Sequence, residues 1–409
     1  MDVETVIIGA GQAGLALSRS LTAAGRDHVV LERGRIGERW RSERWESLRL
    51  LTPNWLNRLP GAPELPDPNG YLDRRGVIEH LERYAAGAPV HERATVVGLR
   101  RSRAGHLVVS DAGDWHARNV VIATGDCDVP RVPVAAADAP PFLHQLHATG
   151  YRRPARLPEG GVLVVGAGPS GQQIAAELAR AGREVILSAG RHARMPRTYR
   201  GRDVFAWMHA TGQLDDHVDH VRDLAAARRA PSVPVSGSAG GESLGLDRLA
   251  ELGVSVTGRL EGFAGGRALF ADTLLSDIAD AERRMRRSLA LFDAFVALAH
   301  VDAGAPDAPP PMAIAAGPRR LDLRGRVSTV LWATGYGRSY PWLDEPVLDA
   351  HGEIAQREGV TAVPGLYTLG LRFQRTRKSH FLGGVGDDAA AVVRAIVAGL
   401  ARARLERAA

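Results

Sequence analysis

The sequence predicts an α/β protein built from two Rossmann-like, three-layer domains, with the second domain inserted into a discontinuous first domain. Two glycine-rich turns of the same type follow short apolar segments about half a chain apart. Two further apolar segments each end in Ala-Thr-Gly. The length of 409 residues also exceeds one ordinary domain. These three observations indicate two packed units, each with a mainly parallel sheet.

Each glycine-rich turn has the pattern of a strand, a tight turn and a helix. The first glycine permits the turn, the second lets backbone N–H groups approach a pyrophosphate, and the third lets the helix pack close to the strand. Two such turns in this context predict two bound dinucleotides. The residues concerned are Gly9, Gly11, Gln12, Ala13 and Gly14 in the first turn, and Gly166, Gly168, Pro169, Ser170 and Gly171 in the second.

An acidic residue ends the apolar segment that follows the first turn. Residues 28–31 are His-Val-Val-Leu, and Glu32 and Arg33 come directly after them. A carboxylate at this position accepts hydrogen bonds from both ribose hydroxyls of an adenine nucleotide. The first unit is therefore predicted to bind FAD, with Glu32 and Arg33 among its contacts.

The corresponding segment of the second unit has no acid. It ends in Ser188, and Arg191, Arg194 and Arg197 follow within a few residues. A carboxylate would repel a 2′-phosphate, whereas a hydroxyl and a guanidinium would bind one. The second unit is therefore predicted to bind NADPH through Ser188 and Arg191. The alternative for either unit is an ordinary tight turn in a flavodoxin-like sheet.

Composition and charge exclude several other classes of protein. Hydrophobic residues make up 45% of the chain and no apolar run approaches 18 residues, which is typical of a globular protein without a membrane span. The first strand begins almost at Met1, which predicts a cytoplasmic protein without a signal peptide. The net charge is +6, but acids are interleaved with the bases along the whole chain. Nucleic-acid binding is therefore not expected.

Cys127 is the only cysteine. A single thiol cannot form the redox-active pair to which many two-nucleotide flavoproteins pass electrons. Electrons delivered to this flavin must leave by another route. The sequence also has no metal-binding motif, and no metal is predicted.

The Ala-Thr-Gly segments predict the domain boundaries. The FAD-binding domain is expected to comprise residues 1–150 and 327–409, and the NADPH-binding domain residues 151–326. A charged helical insert at about 271–311 is longer than a minimal nucleotide domain needs. It is either a surface elaboration or a wall of the substrate cavity. The two segments contribute Thr124 and Gly125, and Ala333, Thr334 and Gly335, to the predicted cofactor contacts.

Two other positions are predicted to contact cofactor. Val97 lies in the alternating strand 95–101 of the first unit. Asp387 stands at the start of the C-terminal helix, whose free N–H groups suit the anionic pyrimidine side of a reduced flavin.

The order of these features resembles that of the class B flavin monooxygenases. Within that class the chain is similar to the single-component flavin-containing monooxygenases, including the plant YUCCA type and bacterial oxidoreductases of the CzcO kind. The similarity extends over essentially the whole chain. Its most specific pieces are Arg39-Trp40, residues 48–53, His147 with Tyr151, the second glycine turn and residues 332–336.

The resemblance implies a reaction. NADPH would reduce FAD, oxygen would add at flavin C4a, and retained NADP⁺ would preserve the (hydro)peroxide until it oxygenates nitrogen, sulfur or an activated carbon of a small substrate. Such chemistry requires a dry pocket and hydrogen-bond donors near flavin N5. The implied partners are a small molecule and O2, and a homodimer is compatible with the family.

Four residues are hypothesised to act near the flavin. Trp40 would lie against it or serve as a packing residue. Asn54 would hydrogen-bond the flavin peroxide or the nicotinamide amide, unless it is an ordinary turn residue. His147 would act as a hinge, an NADPH contact or an acid–base group. Lys378, the only lysine, would place an ammonium against the flavin or the nicotinamide nucleotide.

Two alternative functions also fit the sequence. One is an NADPH oxidase or flavin reductase that inserts no oxygen into a substrate. The other is a flavin-binding redox sensor without turnover, which the intact second glycine turn argues against.

Overall fold

The computed structural model describes residues 1–103 and 105–408, and side chains outside residue 239 and residues 403–408. Elements are numbered along the chain. The first sheet is mixed, and its main strand order is β21-β4-β5-β6-β1-β2-β3, with β24 joined to β6 and β22 and β23 beyond it. Its strands are β1 (Asp2–Ile8), β2 (His28–Glu32), β3 (Val90–Glu92), β4 (Val96–Ser102), β5 (Gly105–Ser110), β6 (Gly113–Ile122), β21 (Leu343–Asp344), β22 (Gln356–Arg357), β23 (Val360–Thr361) and β24 (Leu366–Thr368).

The second sheet is parallel throughout, in the order β15-β10-β9-β19-β8. Its strands are near-continuous apolar runs because both faces of the sheet are covered. All five residues of β9, for example, are buried. The strands are β8 (His144–His147), β9 (Gly161–Val165), β10 (Val185–Ser188), β15 (Ser255–Thr257) and β19 (Val327–Trp332).

Shorter strands form four small sheets beside these two. They are β7 (Val129–Pro130) with β20 (Tyr336–Gly337), β11 (Thr198–Tyr199) with β12 (Arg202–Asp203), β13 (Val235–Ser236) with β14 (Glu242–Ser243), and β16 (Leu260–Ala264) with β17 (Arg267–Phe270) and β18 (Arg320–Asp322). The α-helices are α1 (Gln12–Ala23), α2 (Glu38–Ser42), α3 (Arg74–Tyr84), α4 (Pro169–Arg180), α5 (Val204–Ala210), α6 (Leu224–Arg229), α7 (Leu246–Glu251), α8 (Leu274–Leu298) and α9 (Val385–Ala408).

The predicted fold class is confirmed, since each glycine turn joins a strand of a parallel core to a helix. In the first unit, α1 packs against the sheet and against α9, so that Leu17 and Leu21 share a core with Val392 and Ile396. In the second unit, α4 covers β9 and β10 with Ile174 and Leu178. Helix and sheet thus bury apolar faces against each other in both units.

The predicted domain boundaries are wrong at two strands. β8 and β19 were assigned to the FAD-binding domain, but both lie in the second sheet, where β19 pairs with β9 and β8. Five of the six residues of β19 are buried, so the strand can lie at the centre of a covered sheet. The chain returns to the first sheet only at β21. Each Ala-Thr-Gly segment therefore belongs to its own unit instead of bracketing the second.

The two chain crossings between the units are paired with each other. β7 and β20 follow the two Ala-Thr-Gly segments and form a short antiparallel ladder, with Tyr336 opposite Pro130. The hydroxyl of Thr334 also donates to the carbonyl of Arg131 at 2.5 Å. Hydrogen bonds therefore hold the two crossing segments against each other.

The helical insert packs against loops of both units. α8 buries Met285, Leu289 and Phe292 in a cluster with Trp207 of α5 and Leu56 of the first unit. Residues 299–318 continue without regular structure. Among the described residues, we find no helix with the length and apolar character required to cross a bilayer.

Candidate cofactor sites

A cavity of about 380 Å³ lies at the carboxyl ends of β1, β2 and β6. In parallel α/β sheets, this edge is where ligands bind. Nine residues predicted from sequence line the cavity together: Gly9, Gly11, Gln12, Ala13, Glu32, Arg33, Trp40, Thr124 and Gly125. The structure thus gathers residues from four separate stretches of the chain at one site.

The three glycines of the first turn have distinct environments. Gly9 has φ +107°, and a Cβ on it would lie 2.7 Å from the carbonyl oxygen of Ala123. A Cβ on Gly14 would lie 1.9 Å from the carbonyl oxygen of Gly9, so only glycine allows the helix to start this close to the strand. At Gly11 a Cβ would meet no protein atom within 4 Å. The turn therefore leaves open backbone at the position where a pyrophosphate would approach.

Backbone hydrogen bonds hold the Glu32 carboxylate at the cavity. The N–H of Ala10 donates to Oε2 at 2.8 Å, and the N–H of Gly34 donates to Oε1 at 2.9 Å. A carboxylate has about four acceptor positions, so two remain for ligand hydroxyls. Glu32 is thus both part of the turn and an acceptor facing the cavity.

Other cavity residues were missed by the sequence analysis. Asp126, Cys127 and Asp128 follow directly after Gly125, and adjacency alone could have identified them. His380 also lines the cavity, and its carbonyl accepts from the Gln12 side chain at 3.0 Å. No sequence motif indicates such a contact, which joins residues 368 positions apart.

The Val97 prediction is wrong by one residue. Val97 is 58% exposed, whereas its neighbour Val96 is buried and lines the cavity. Successive side chains of a strand point to opposite faces, so the cofactor-facing position in β4 belongs to Val96.

The second glycine turn repeats the geometry of the first. Gly166 has φ +111°, and its Cβ would lie 2.4 Å from the carbonyl oxygen of Ala333. A Cβ on Gly171 would lie 1.9 Å from the carbonyl oxygen of Gly166, whereas a Cβ on Gly168 would meet nothing within 4 Å. Pro169 begins α4, and Ser170 lies in its first turn. The second turn thus also leaves open backbone at the start of a helix.

Ser188 does not have the environment expected of a phosphate ligand. Its side chain is buried, and its hydroxyl donates to the carbonyl of Gly258 at 3.0 Å and accepts from the N–H of Leu260 at 2.8 Å. The hydroxyl therefore joins the end of β10 to the start of β16. The prediction that Ser188 binds the 2′-phosphate is corrected to a structural role.

The three arginines after β10 have different environments. Arg194 is buried and pairs with Asp247 and Glu282, each at 2.7 Å. Arg197 is also buried and pairs with Asp203. Arg191 is exposed, with no carboxylate within ion-pair distance among the described residues. Arg191 is therefore the guanidinium of this group that remains available to an anion.

The chain shares its family with known oxidoreductases. An uncharacterised CzcO-like oxidoreductase of Geobacillus kaustophilus is 33% identical over 393 residues, which are 95% of this chain and 96% of the relative. This chain belongs to the CzcO-like oxidoreductases. A family model described as pyridine nucleotide-disulphide oxidoreductase also matches residues 6–209.

Two further comparisons show similarity of the CzcO-like chain to flavin monooxygenases. The indole-3-pyruvate monooxygenase YUCCA1 of rice is 34% identical over 193 residues, covering 43% of this chain and 45% of that protein. A flavin-containing monooxygenase from Stenotrophomonas maltophilia superposes with a TM-score of 0.64 at 22% identity, covering 97% of this chain and 98% of that structure. The predicted resemblance and the assignment as an oxidoreductase are confirmed.

His147 of this CzcO-like chain holds the start of the second chain crossing against β8. Its Nδ1 accepts from the N–H of Thr149 at 3.2 Å, so Nε2 carries the proton and donates to the carbonyl of Gly335 at 3.0 Å. Burial lowers the pKa of the imidazole, which keeps it neutral. The ring also meets Tyr336 edge-on, with 5.2 Å between centroids. This geometry favours the hinge interpretation, since Nε2 holds the crossing at Gly335 while Nδ1 is used by the turn at Thr149.

Asn54 has no free polar atom for a reacting group. Its amide nitrogen donates to the carbonyls of Pro66 at 3.1 Å and Asp67 at 3.0 Å. Its amide oxygen accepts from the N–H of Leu72 at 3.0 Å. The side chain is buried and does not line the cavity. The catalytic prediction for Asn54 is therefore corrected: the residue fixes the loop 66–72.

We expect Asn54→Ala to destabilise the fold. Three hydrogen bonds are lost at about 1 kcal/mol net each, so the free energy of unfolding should fall by about 3 kcal/mol. Urea denaturation followed by circular dichroism measures this change. The matched control is Asn69→Ala, at an exposed position of the same loop. An Asn54→Ala protein of unchanged stability that releases more peroxide would contradict the structural role.

Lys378 is held away from the cavity by carboxylates. Its ammonium lies 2.6 Å from Asp215 and 3.6 Å from Asp387. Asp387 is in the first turn of α9 with its side chain 71% exposed, so neither residue faces the cavity. The predictions that Lys378 and Asp387 contact a cofactor are corrected. The Lys378–Asp215 pair instead joins the segment before α9 to the second unit.

One group of possible metal ligands occurs among the described residues. Ligand atoms of His217, Asp219 and Glu358 lie within 4.8 Å of one another. Arg357 pairs with Asp219 at 3.3 Å, and Arg375 pairs with Glu358 at 2.9 Å. Both carboxylates therefore already have cationic partners, and we assign no metal there.

Proposed function

We propose that this chain is an FAD-containing, NADPH-dependent monooxygenase that oxygenates a small organic substrate at nitrogen, sulfur or an activated carbon. The observation that carries the proposal is the pair of glycine turns at the carboxyl ends of parallel strands in two separate sheets. In both turns, the backbone at the second glycine is not covered by protein atoms. Similarity to flavin monooxygenases supports the oxygenase chemistry. FAD, when bound and reduced by NADPH, would supply the activation of oxygen.

The first cavity fits the adenosine and pyrophosphate parts of FAD. The open backbone at Gly11 and the N-terminus of α1 would bind the pyrophosphate, since free N–H groups and the helix dipole favour an anion there. Glu32 would accept from the ribose hydroxyls with its two remaining acceptor positions. Trp40 and Arg33 line the same cavity and would flank the nucleotide.

The second turn fits a nicotinamide dinucleotide in the same way. Gly168 and the N-terminus of α4 would bind its pyrophosphate. Arg191 would then contact the 2′-phosphate at the end of β10. Arg284 of α8 donates to the carbonyl of His192 at 2.7 Å and adds a second positive charge beside this loop. The arrangement supports a preference for NADPH over NADH.

We also propose that the helical insert forms one wall of the substrate region. By resemblance, the loop at residues 48–59 passes the flavin ring. Leu56 of this loop is buried against α8, and Trp55 and Phe381 pack at the edge of the same cluster. A wall of this composition would exclude water from the reacting centre. The alternative is that the insert is a surface elaboration.

Thiol–disulfide exchange does not fit this chain. Cys127 is the only cysteine, so no intrachain dithiol can form. Burial raises the pKa of its thiol, which disfavours the reactive thiolate. The flavin would therefore pass its electrons to oxygen instead of a protein disulfide.

The function is tested by an electron balance in the purified yellow protein. NADPH consumption, O2 consumption and peroxide release are measured with small amines, thioethers and activated carbonyl compounds, and ¹⁸O2 traces the inserted atom. A monooxygenase incorporates one ¹⁸O per NADPH with a matched substrate and releases less peroxide. Release of all electrons as peroxide with every compound would instead indicate the oxidase alternative.

We expect Arg191→Ala to reduce the preference for NADPH. The lost charge-assisted hydrogen bond should raise KM for NADPH about tenfold while KM for NADH changes little. Steady-state NAD(P)H oxidation measures both constants. Arg222→Ala, at an exposed arginine outside this loop, is the charge-matched control. An equal increase in both constants would show that Arg191 does not contact the 2′-phosphate.

A further inference from the structure

A second cavity, of about 160 Å³, lies between the two units and shares no residue with the first. One wall is a stripe of α4 side chains that includes Glu177 and Arg180. The opposite walls are Trp45 and Ser47 of the first unit and Glu242 of β14. At about 30 Å³ per water, the space corresponds to about five water molecules. Its size suits an organic ion of a few non-hydrogen atoms.

The Glu177 carboxylate has no cationic partner among the described residues. Its Oε1 accepts from the Ser47 hydroxyl at 2.9 Å, and its Oε2 accepts from the Tyr151 hydroxyl at 2.9 Å. Both donors are neutral, so the negative charge is hydrogen-bonded but not balanced. Each oxygen still has an acceptor position free. Ser47 has used its proton on Glu177, and its oxygen can only accept from a ligand.

Glu242 adds to the acceptors around the cavity. Its Oε1 pairs with Arg180, but its Oε2 is buried without a hydrogen-bond partner among the described residues. Arg248 also approaches Glu242, at 3.8 Å, but it does not line the cavity and pairs with Glu251 at 2.8 Å. The lining therefore has two carboxylates against one guanidinium, which leaves a net negative charge.

We propose that this cavity is a binding site for a small organic ammonium ion. An ammonium group has three donors and no acceptor, which matches Glu177, Ser47 and the free oxygen of Glu242. Trp45 lines the same cavity, and an indole ring attracts a cation. Since Trp45 and Ser47 belong to one unit and α4 to the other, the bound ion would also hold the two units together.

Titration calorimetry of the full-length protein, without NADPH, tests the site. The probes are n-propylammonium chloride, neutral n-propanol of similar size, and NaCl at equal ionic strength. We expect saturable binding of one n-propylammonium per chain and none of n-propanol. Absence of saturable n-propylammonium binding, or equal binding of n-propanol, would overturn the proposal.

Variants identify the cavity as the place of binding. Glu177→Gln keeps the shape and one acceptor oxygen but removes the charge, and should weaken n-propylammonium binding at least tenfold. Glu184→Gln is the matched control, because Glu184 pairs with Arg326 at a distance from the cavity. Unchanged affinity in Glu177→Gln, or an equal loss in Glu184→Gln, would refute the assignment. If Glu177→Gln fails to fold, Glu242→Gln takes its place and is expected to show the same loss of affinity. An unchanged affinity for n-propylammonium in Glu242→Gln would then refute the proposal.

Discussion

Replacement of Gly11 by valine should yield a folded protein that has lost FAD. The backbone at Gly11 has φ −78° and ψ −175°, an extended conformation that valine adopts readily. A Cβ at this position would meet no protein atom within 4 Å, so the fold should tolerate the side chain. In the complex, however, the valine methyl groups would occupy the space through which the pyrophosphate reaches the N–H groups of α1.

The expected loss of affinity is large. Charge-assisted hydrogen bonds contribute about 1.5–3 kcal/mol each, and displacement of the pyrophosphate would break at least two. The affinity for FAD should therefore fall by roughly a hundredfold or more. The ratio of flavin to protein absorbance after purification measures the retained cofactor, and a thermal melt reports the fold.

The control for this variant is Gly262→Val. Gly262 lies in β16, and a Cβ there also meets no atom within 4 Å. The substitution adds the same side chain away from both glycine turns and should leave the flavin content unchanged. Full flavin occupancy in Gly11→Val would show that no pyrophosphate binds at this turn.

Replacement of Gly168 by valine should separate the two nucleotide sites. The protein should stay yellow, but reduction of its flavin by NADPH should slow at least a hundredfold at a fixed low NADPH concentration. Gly168 has φ −75° and ψ 176°, which suits both valine and the position before Pro169. The space at its Cβ is also empty of protein atoms. Only the approach of the second pyrophosphate should be blocked.

Anaerobic stopped-flow reduction distinguishes this effect from damage to the flavin site. Dithionite should reduce the Gly168→Val flavin as fast as that of the unmodified protein, because dithionite needs no nucleotide site. Gly262→Val again serves as the control. A Gly168→Val protein that NADPH reduces at the normal rate would exclude the second turn as the NADPH site.

Local sequence was sufficient to predict the glycine turns and the Glu32 position. Gly14 is required by the carbonyl oxygen of Gly9 in the same turn, Gly9 is required by its positive φ, and Glu32 ends the strand next to β1. The same applies to the second turn, where Gly166 and Gly171 repeat the pattern. Such features follow from backbone geometry and chain periodicity, which a sequence shows directly.

The roles of single polar side chains could not be predicted in this way. Asn54, Ser188 and Lys378 all looked available for a ligand, yet each is occupied by a protein partner: Leu72, Gly258 and Asp215 respectively. Those partners lie 18 and 70 residues away for the first two. The sequence shows that a side chain can donate or accept, but not which group is near enough to use it.

The sequence by itself determined the fold class, the two glycine turns in which the second glycine leaves the backbone uncovered, and the acidic residue at the first cavity. Only the tertiary structure decided that β8 and β19 belong to the second sheet and that Val96 faces the cavity instead of Val97. It also decided that, among the residues the structure describes, Arg191 alone of three nearby arginines has no carboxylate partner. The physical reason is the distance along the chain between the atoms that interact. Turn conformation depends on atoms adjacent in the chain, whereas strand neighbours and ion pairs depend on contacts between segments that folding brings together.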